Sequence, residues 1–186
     1  MVKKSPQRRT RTQPSPPGSS GRRQARRLRA LYDRLVALYG PQSWWPAQTA
    51  FEVVVGAYLN QNTAWKSVER SIVSLETHRV LSIEGLRNIS EDRLRELIRP
   101  SGFMQRKAAA LKAFVAFLDA HHDGQIDSLR NAARRSSGAV RDQLLELPGV
   151  GPETADALLL YALDSPAMVV DTYLRRVVTR HGLAPE

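Results

Sequence analysis

The residues best suited to chemistry lie between Leu147 and Arg176. Pro148-Gly149-Val150-Gly151 reads as a tight turn between the end of one helix and the start of another, which carries Pro152 in its first turn. Two glycines at i and i+2 permit positive φ and remove side chains that would hold a ligand away. The amides of such a turn and of the new helix N-terminus face outward, where a phosphate oxygen can accept from them. Twenty residues past Gly151, the apolar link Met168-Val169-Val170 delivers Asp171 to the start of a further helix. A carboxylate there serves as an N-cap, stabilising the helix by about 1 kcal/mol. A capping aspartate has a fixed rotamer and favours its charged form, which also suits a group that steadies developing positive charge on a sugar or orients a water.

The elements that position these groups are all helical. Leu28, Leu31, Leu35 and Leu38 fall at helical spacing from about Arg22, and Gly40-Pro41 stops them. Thr49 and Glu52 form a capping-box pattern that opens a helix over 50–60, although its Val53-Val54-Val55 run has strand character. Thr63 is expected to cap the next helix, with Trp65, Val68, Ile72 and Leu75 on one face. Short helices follow at 83–87 and 91–98. A long one runs from Gly102 to His121 with Phe103, Leu111, Phe114, Val115 and Leu118 inward. Helices at 126–133, 138–146 and 152–163 and a last one from Asp171 to His181 complete the chain. No βαβ alternation and no 20–50-residue repeat is visible, so the fold class is all-α. The segment 138–163 reads as a helix-hairpin-helix, which grips a DNA backbone without reading bases. Taken alone, the same turn is equally a structural connection between two helices.

Composition narrows the rest. The 186 residues contain no cysteine, which excludes a disulfide framework, thiol catalysis and a cysteine-ligated metal within them. His78, His121, His122 and His181 have no ligand spacing and are expected at the surface or at helix ends, so no metal site is expected. No run of 18 apolar residues and no apolar signal core occurs, which makes the cytoplasm the expected location and gives no membrane partner. The formal net charge is +10, yet ten of the 28 Lys/Arg and none of the 18 Asp/Glu lie before Ala30, so the excess sits wholly in the N-terminal stretch that ends at Arg29. Residues 1–21, rich in Pro, Ser, Arg and Gly, are expected to be a disordered basic arm that either adds salt-dependent DNA affinity or is simply solvated. Residues 22–186 form the folded domain.

The stretch LPGVGPETADALLLYAL followed by VVDTYLRRV resembles the helix-hairpin-helix-Gly/Pro-Asp superfamily of DNA glycosylases, in its endonuclease III-like branch. FEVVVGAYLNQNTAWKSVERSI and IRPSGFMQRKAAALKAF resemble earlier helices of that branch, and the likeness runs from about residue 28 to the end. The resemblance implies a base-excision-repair glycosylase acting on double-stranded DNA that contains a damaged base, as a monomer. It implies that Asp171 is the catalytic carboxylate and that Gly149, Val150 and Gly151 bind phosphate. Gln61 corresponds to the glutamine that fills the gap left by a flipped base; its residue type alone reads as well as a helix-end or solvent-facing group. Trp44, Trp45 and Trp65 are either base-pocket residues or core.

Two departures from the family pattern matter. Endonuclease III carries a lysine two residues after the hairpin's second glycine, and Glu153 stands there. A carboxylate cannot form the Schiff base that precedes β-elimination, while an acidic residue in a helix's first turn complements its dipole by roughly 0.3–1 kcal/mol. The expected product is an abasic site rather than a broken strand, as in monofunctional relatives that remove alkylated purines. A bifunctional glycosylase/lyase on oxidised pyrimidines would need a substitute amine such as Lys66 or Lys107, and a non-catalytic DNA-binding module is the reading from another class. The second departure is the ending: family members continue with further helices, and many bind a four-iron–four-sulfur cluster through four cysteines. No cofactor is expected within these residues, and a cluster only if the natural chain extends past Glu186. If the natural chain ends here, Leu28, Leu31 and Leu35 lack their expected partners; if it is a fragment, the absence of cysteine says nothing about the cluster.

Overall fold

A computed structural model describes residues 19–42 and 45–183. The described residues are helical, with no strand: α1 (Ser19–Tyr39), α2 (Ala50–Asn60), α3 (Trp65–Thr77), α4 (Ile83–Asn88), α5 (Glu91–Leu97), α6 (Met104–His121), α7 (Ile126–Arg135), α8 (Ser137–Leu145), α9 (Pro152–Ala157) and α10 (Thr172–Arg180). A 3-10 turn at Arg99–Ser101 precedes α6, and a π turn at Leu158–Ala162 prolongs α9. The described residues divide into two compact units, 19–42 with 175–183 and 45–174. Helix α1 starts at Ser19, three residues ahead of the expected Arg22, and residues 1–18 of the basic arm lie outside the described residues. Within the first unit the Arg27 guanidinium donates to the His181 carbonyl oxygen at 3.1 Å. Tyr32, Leu35, Leu38 and Tyr39 of α1 are exposed.

The second unit is built around α2. Every residue from Phe51 to Leu59 is buried, so the helix is apolar on all sides and its valine run is helical despite strand-like chemistry. Burial of each such side chain is worth about 1.5–3 kcal/mol, which outweighs the few tenths that β-branching costs a helix. Thr49 Oγ1 accepts the Glu52 amide at 3.1 Å as expected, while the Glu52 carboxylate accepts from the Gln48 amide at 2.8 Å, one residue ahead of the cap. Val68 and Leu75 of α3, Leu94 of α5 and Leu111, Phe114 and Leu118 of α6 complete the buried core with Leu158 and Leu159 of the π turn.

Two expectations are corrected. Thr63 does not cap α3; Ala64 holds the N-cap position without a side-chain bond, and the Thr63 hydroxyl donates to the Ser101 carbonyl oxygen at 2.7 Å. Phe103 is not inward: it adopts a left-handed backbone (φ 46°) ahead of α6 and is 61% exposed. His122 stands at the end of α6, as expected of a helix-end histidine, and is buried there with its ring 5.1 Å from Phe117. The Thr63 partner lies 38 residues away, which spacing along one helix does not contain.

Candidate active site

The hairpin forms because α8 ends at Leu145 and the Val150 amide donates back to the Leu147 carbonyl oxygen at 3.1 Å, closing the turn. Gly149 takes φ 78°, a region that side-chain-bearing residues rarely adopt. A Cβ there would stand 3.6 Å from Ala110 Cβ and 3.8 Å from Gln61 Oε1. Gly151 is different. Its backbone is extended (φ −96°), it is the N-cap of α9, and a Cβ on it would meet nothing within 4 Å. Positive φ is therefore needed at only one of the two glycines, and Gly151 instead keeps the approach to the helix start open. Val150 is turned inward, 8% exposed, with its N–H spent on the turn. Of the three hairpin residues, the exposed Gly149 and Gly151 are the ones placed to meet a phosphate.

Gln61 is the C-cap of α2. Its side-chain amide donates to the Gly149 carbonyl oxygen at 2.8 Å and to Thr154 Oγ1 at 3.2 Å, tying α2 to both sides of the hairpin. Asp171 caps α10: its Oδ1 accepts the Leu174 amide at 2.6 Å, the N-cap geometry its position predicts. Glu153 is exposed in the first turn of α9.

A cavity of about 450 Å³ brings these groups together; Trp45, Asn60, Gln61, Glu153, Tyr161 and Asp171 are among its lining. The three tryptophans separate. Trp45 lines this cavity, and Trp44 lies outside the described residues. Trp65 packs edge-on against Trp45 with centroids 6.0 Å apart, and it lines a smaller neighbouring cavity of about 130 Å³ with Glu52 and Glu69. Tyr161, which sequence reasoning missed, has its ring 5.3 Å from that of Trp45. No local signal marks it: Glu153, Ala157 and Tyr161 stand at i, i+4 and i+8 and all line the cavity, but Tyr161 does so from the π turn that prolongs α9.

A third cavity, about 360 Å³, is lined by Tyr58, Gln61, Phe103, Arg106 and Gly149, so Gln61 stands in the walls of both larger cavities. The buried Tyr58 hydroxyl has no partner there, and burial pushes its pKa above the ordinary phenol range.

Neither substitute amine lines the Asp171 cavity. Lys66 is exposed on α3. Lys107 is buried, and its ammonium donates to the Leu59 and Ser101 carbonyl oxygens, both at 2.8 Å, and to Thr63 Oγ1 at 2.7 Å. Burial holds its pKa below the usual lysine value, but all three donors are committed to joining α2 to the loop before α6. An iron–sulfur cluster has no thiolate ligands within the 186 residues. Among the described residues no helix is long and apolar enough to cross a membrane.

Residues 55–186 match the family model described as "HhH-GPD superfamily base excision DNA repair protein". A protein of Methanocaldococcus jannaschii named as a DNA repair glycosylase is 44% identical over 156 residues, which is 84% of this chain and 70% of that protein. The chloroplastic endonuclease III homolog 1 of Arabidopsis thaliana is 32% identical over 138 residues, 74% of this chain but 34% of the relative's length. Among solved structures, the 3-methyladenine DNA glycosylase of H. pylori bound to 1,N6-ethenoadenine superposes with a TM-score of 0.72 at 28% identity, covering 88% of this chain and 75% of its own. The hairpin, the aspartate that follows it and the helices that carry them thus agree with the family match over most of the sequence, and the chain belongs to the HhH-GPD superfamily of base excision DNA repair proteins.

Proposed function

We propose that this DNA repair glycosylase hydrolyses the N-glycosidic bond of a damaged base in double-stranded DNA, acting as a monomer and leaving an abasic site without cutting the strand. The observation that carries the reading is the makeup of the 450 Å³ cavity: a helix-capping carboxylate, Asp171, shares it with two aromatic rings, and Glu153 occupies the position where a lyase lysine would stand. The amides of Gly149 and Gly151 hold the phosphate beside the lesion. The damaged nucleotide leaves the stack at a cost of about a few kcal/mol, and Gln61, held against the hairpin, fills the space left behind. As the C1′–N bond breaks, its electron pair leaves with the base and positive charge develops on the sugar. The Asp171 carboxylate stabilises that charge. A water oxygen then bonds to C1′ and gives up a proton, so the products are the free base and an abasic sugar.

The substrate class that best suits the cavity is an alkylated purine. Such a base carries positive charge, which weakens its glycosidic bond and favours stacking on aromatic faces. The H. pylori relative is named for 3-methyladenine and was solved with 1,N6-ethenoadenine, which supports the same class. A bifunctional enzyme on oxidised pyrimidines would require an amine that neither Lys66 nor Lys107 supplies from its position.

The test is base release from duplexes that each carry one labelled lesion, alkylated or oxidised, with wild type and Asp171→Asn run with and without alkali. Breakage only after alkali, and only with Asp171 intact, is the expected result. Breakage without alkali, trapped by borohydride, would overturn the monofunctional reading. Binding to DNA with no base released from any lesion would reduce the chain to a DNA-holding module.

A further inference from the structure

The rings of Trp45 and Tyr161 are held by different parts of the chain. Trp45 lies in the loop before α2, with Trp65 edge-on against it. The backbone of α2 lies against its indole: a Cβ added at Gly56 would stand 3.4 Å from the ring. Tyr161 comes from the π turn. There the Leu163 amide donates to the Leu158 carbonyl oxygen at 3.0 Å, closing a wider ring than an α-helix makes. Four residues along an α-helix overshoot one full turn by about 40°, so continued α geometry would carry residue 161 well around the axis from Glu153. The wider π turn reverses that drift and returns Tyr161 to the face that carries Glu153 and Ala157, while Leu158, Leu159 and Ala162 remain buried. Single π turns inside helices recur at functional sites for this reason.

We infer that Tyr161, presented by the π turn and backed by Trp45, is a specificity-determining residue that selects flat, electron-poor bases by stacking. The inference rests on the glycosylase reading above and adds to it the residue that discriminates among bases. The two rings meet at 5.3 Å with a 38° tilt, too close to admit a base between them, so the pair is a tilted platform rather than a slot, and a base stacks on its cavity side. Both rings are only half-buried, which leaves area for a base to cover. A cationic purine gains from the platform twice, through its larger face and through its charge over the rings. A neutral pyrimidine gains less on both counts. Trp65 has no such role, because it lines the neighbouring cavity and acts by steadying Trp45.

The experiment measures kcat and KM for wild type, Tyr161→Phe and Tyr161→Leu on two duplexes, one with a cationic N-alkylated purine and one with a neutral oxidised pyrimidine. Affinity for a duplex with a reduced abasic-site analogue is measured alongside, because it depends on the hairpin and not on a stacked base. Tyr161→Leu is expected to raise KM for the alkylated purine by about 10-fold or more. Tyr161→Phe, which keeps a ring to stack, should raise KM far less than Tyr161→Leu, and affinity for the abasic analogue should stay unchanged in both variants. Tyr161→Leu kinetics equal to wild type on the purine would overturn the inference. A fall in kcat alone, equal on both duplexes, would also overturn it, since that is the mark of a structural role. Release of no base by wild type would remove the glycosylase reading and this inference with it, whereas an active wild type with an indifferent Tyr161→Leu removes only the inference.

Discussion

The Gln61 side-chain amide donates to the Gly149 carbonyl oxygen across 2.8 Å, joining the end of α2 to a hairpin 88 residues further along the chain. A second bond, to Thr154 Oγ1, makes Gln61 a brace across the turn. Gln61→Ala loses both, each worth about 0.5–1.5 kcal/mol. Its midpoint of thermal unfolding should fall and its affinity for an abasic duplex should weaken. Gln61→Glu should be the more damaging, because a carboxylate oxygen then faces the Gly149 carbonyl; thermal denaturation and fluorescence-anisotropy titration of both variants check this.

The two hairpin glycines should respond differently to alanine. At Gly149 the space is adequate but φ is 78°, so Gly149→Ala strains the backbone by about 1–2 kcal/mol. At Gly151 the backbone is ordinary and the surroundings are open, so Gly151→Ala should leave stability unchanged while its methyl group intrudes on the phosphate. Loss of stability in the first and loss of DNA affinity alone in the second is the expected pattern in paired denaturation and binding curves.

Glu153→Lys places an amine on the wall of the Asp171 cavity. It gives up the favourable dipole interaction of an acidic residue in the first turn, about 0.3–1 kcal/mol. In exchange it supplies the nucleophile a Schiff base needs. Borohydride should trap this variant, and not wild type, on a lesion-bearing duplex.

Lys107→Met should be costly for stability and silent on reaction type. Removing the ammonium leaves the Leu59 carbonyl oxygen and the Thr63 hydroxyl oxygen without their donor, while the Ser101 carbonyl oxygen keeps only the Thr63 hydroxyl, which destabilises by about 1–3 kcal/mol for a buried polar group left unsatisfied. Urea unfolding should show the loss, and wild type should remain untrapped by borohydride because Lys107 is not the reacting amine.

His122 gives a pH dependence. Burial holds its imidazole pKa below the ordinary value of 6.5, aided by the positive charges of His121 and Arg135 and opposed by Asp123. The unfolded chain then binds more protons than the folded one just below pH 6.5, so stability falls as pH drops from there toward the folded pKa. Its buried Nε2 has no hydrogen-bond partner, so protonation finds no acceptor. His122→Phe should flatten this acidic slope in the melting temperature measured from pH 7 to pH 5.

Much of this architecture is local and therefore readable. Thr49 caps α2 three residues ahead of Glu52, Gly40 ends α1 with φ 69°, and Asp171 caps α10 through the amide of Leu174. Each is a bond or a dihedral spanning four residues or fewer, so residue type and spacing suffice. The same holds for the hairpin turn and for Glu153 in the first turn of α9, whose chemistry follows from its identity. The resemblance of the motifs supplied the family, and the match over residues 55–186 agrees with it.

The cavity itself was decided only by tertiary structure. Its lining comes from residues 45, 57–62, 153–161 and 169–174, which meet because α2 packs against α9 and the π turn. Periodicity placed Tyr161 on a helix but not on the cavity side, because the π turn that turns it there is not encoded in a period of 3.6. Lys107 reads in the sequence only as a candidate substitute amine, and its commitment to three acceptors, from Leu59, Thr63 and Ser101, follows from the packing that brings them around it. Thr63 left its expected cap to join them, and Phe103 turned outward where its spacing suggested the core. Hydrogen bonds and burial across dozens of residues depend on how whole helices pack, and no local pattern carries that information.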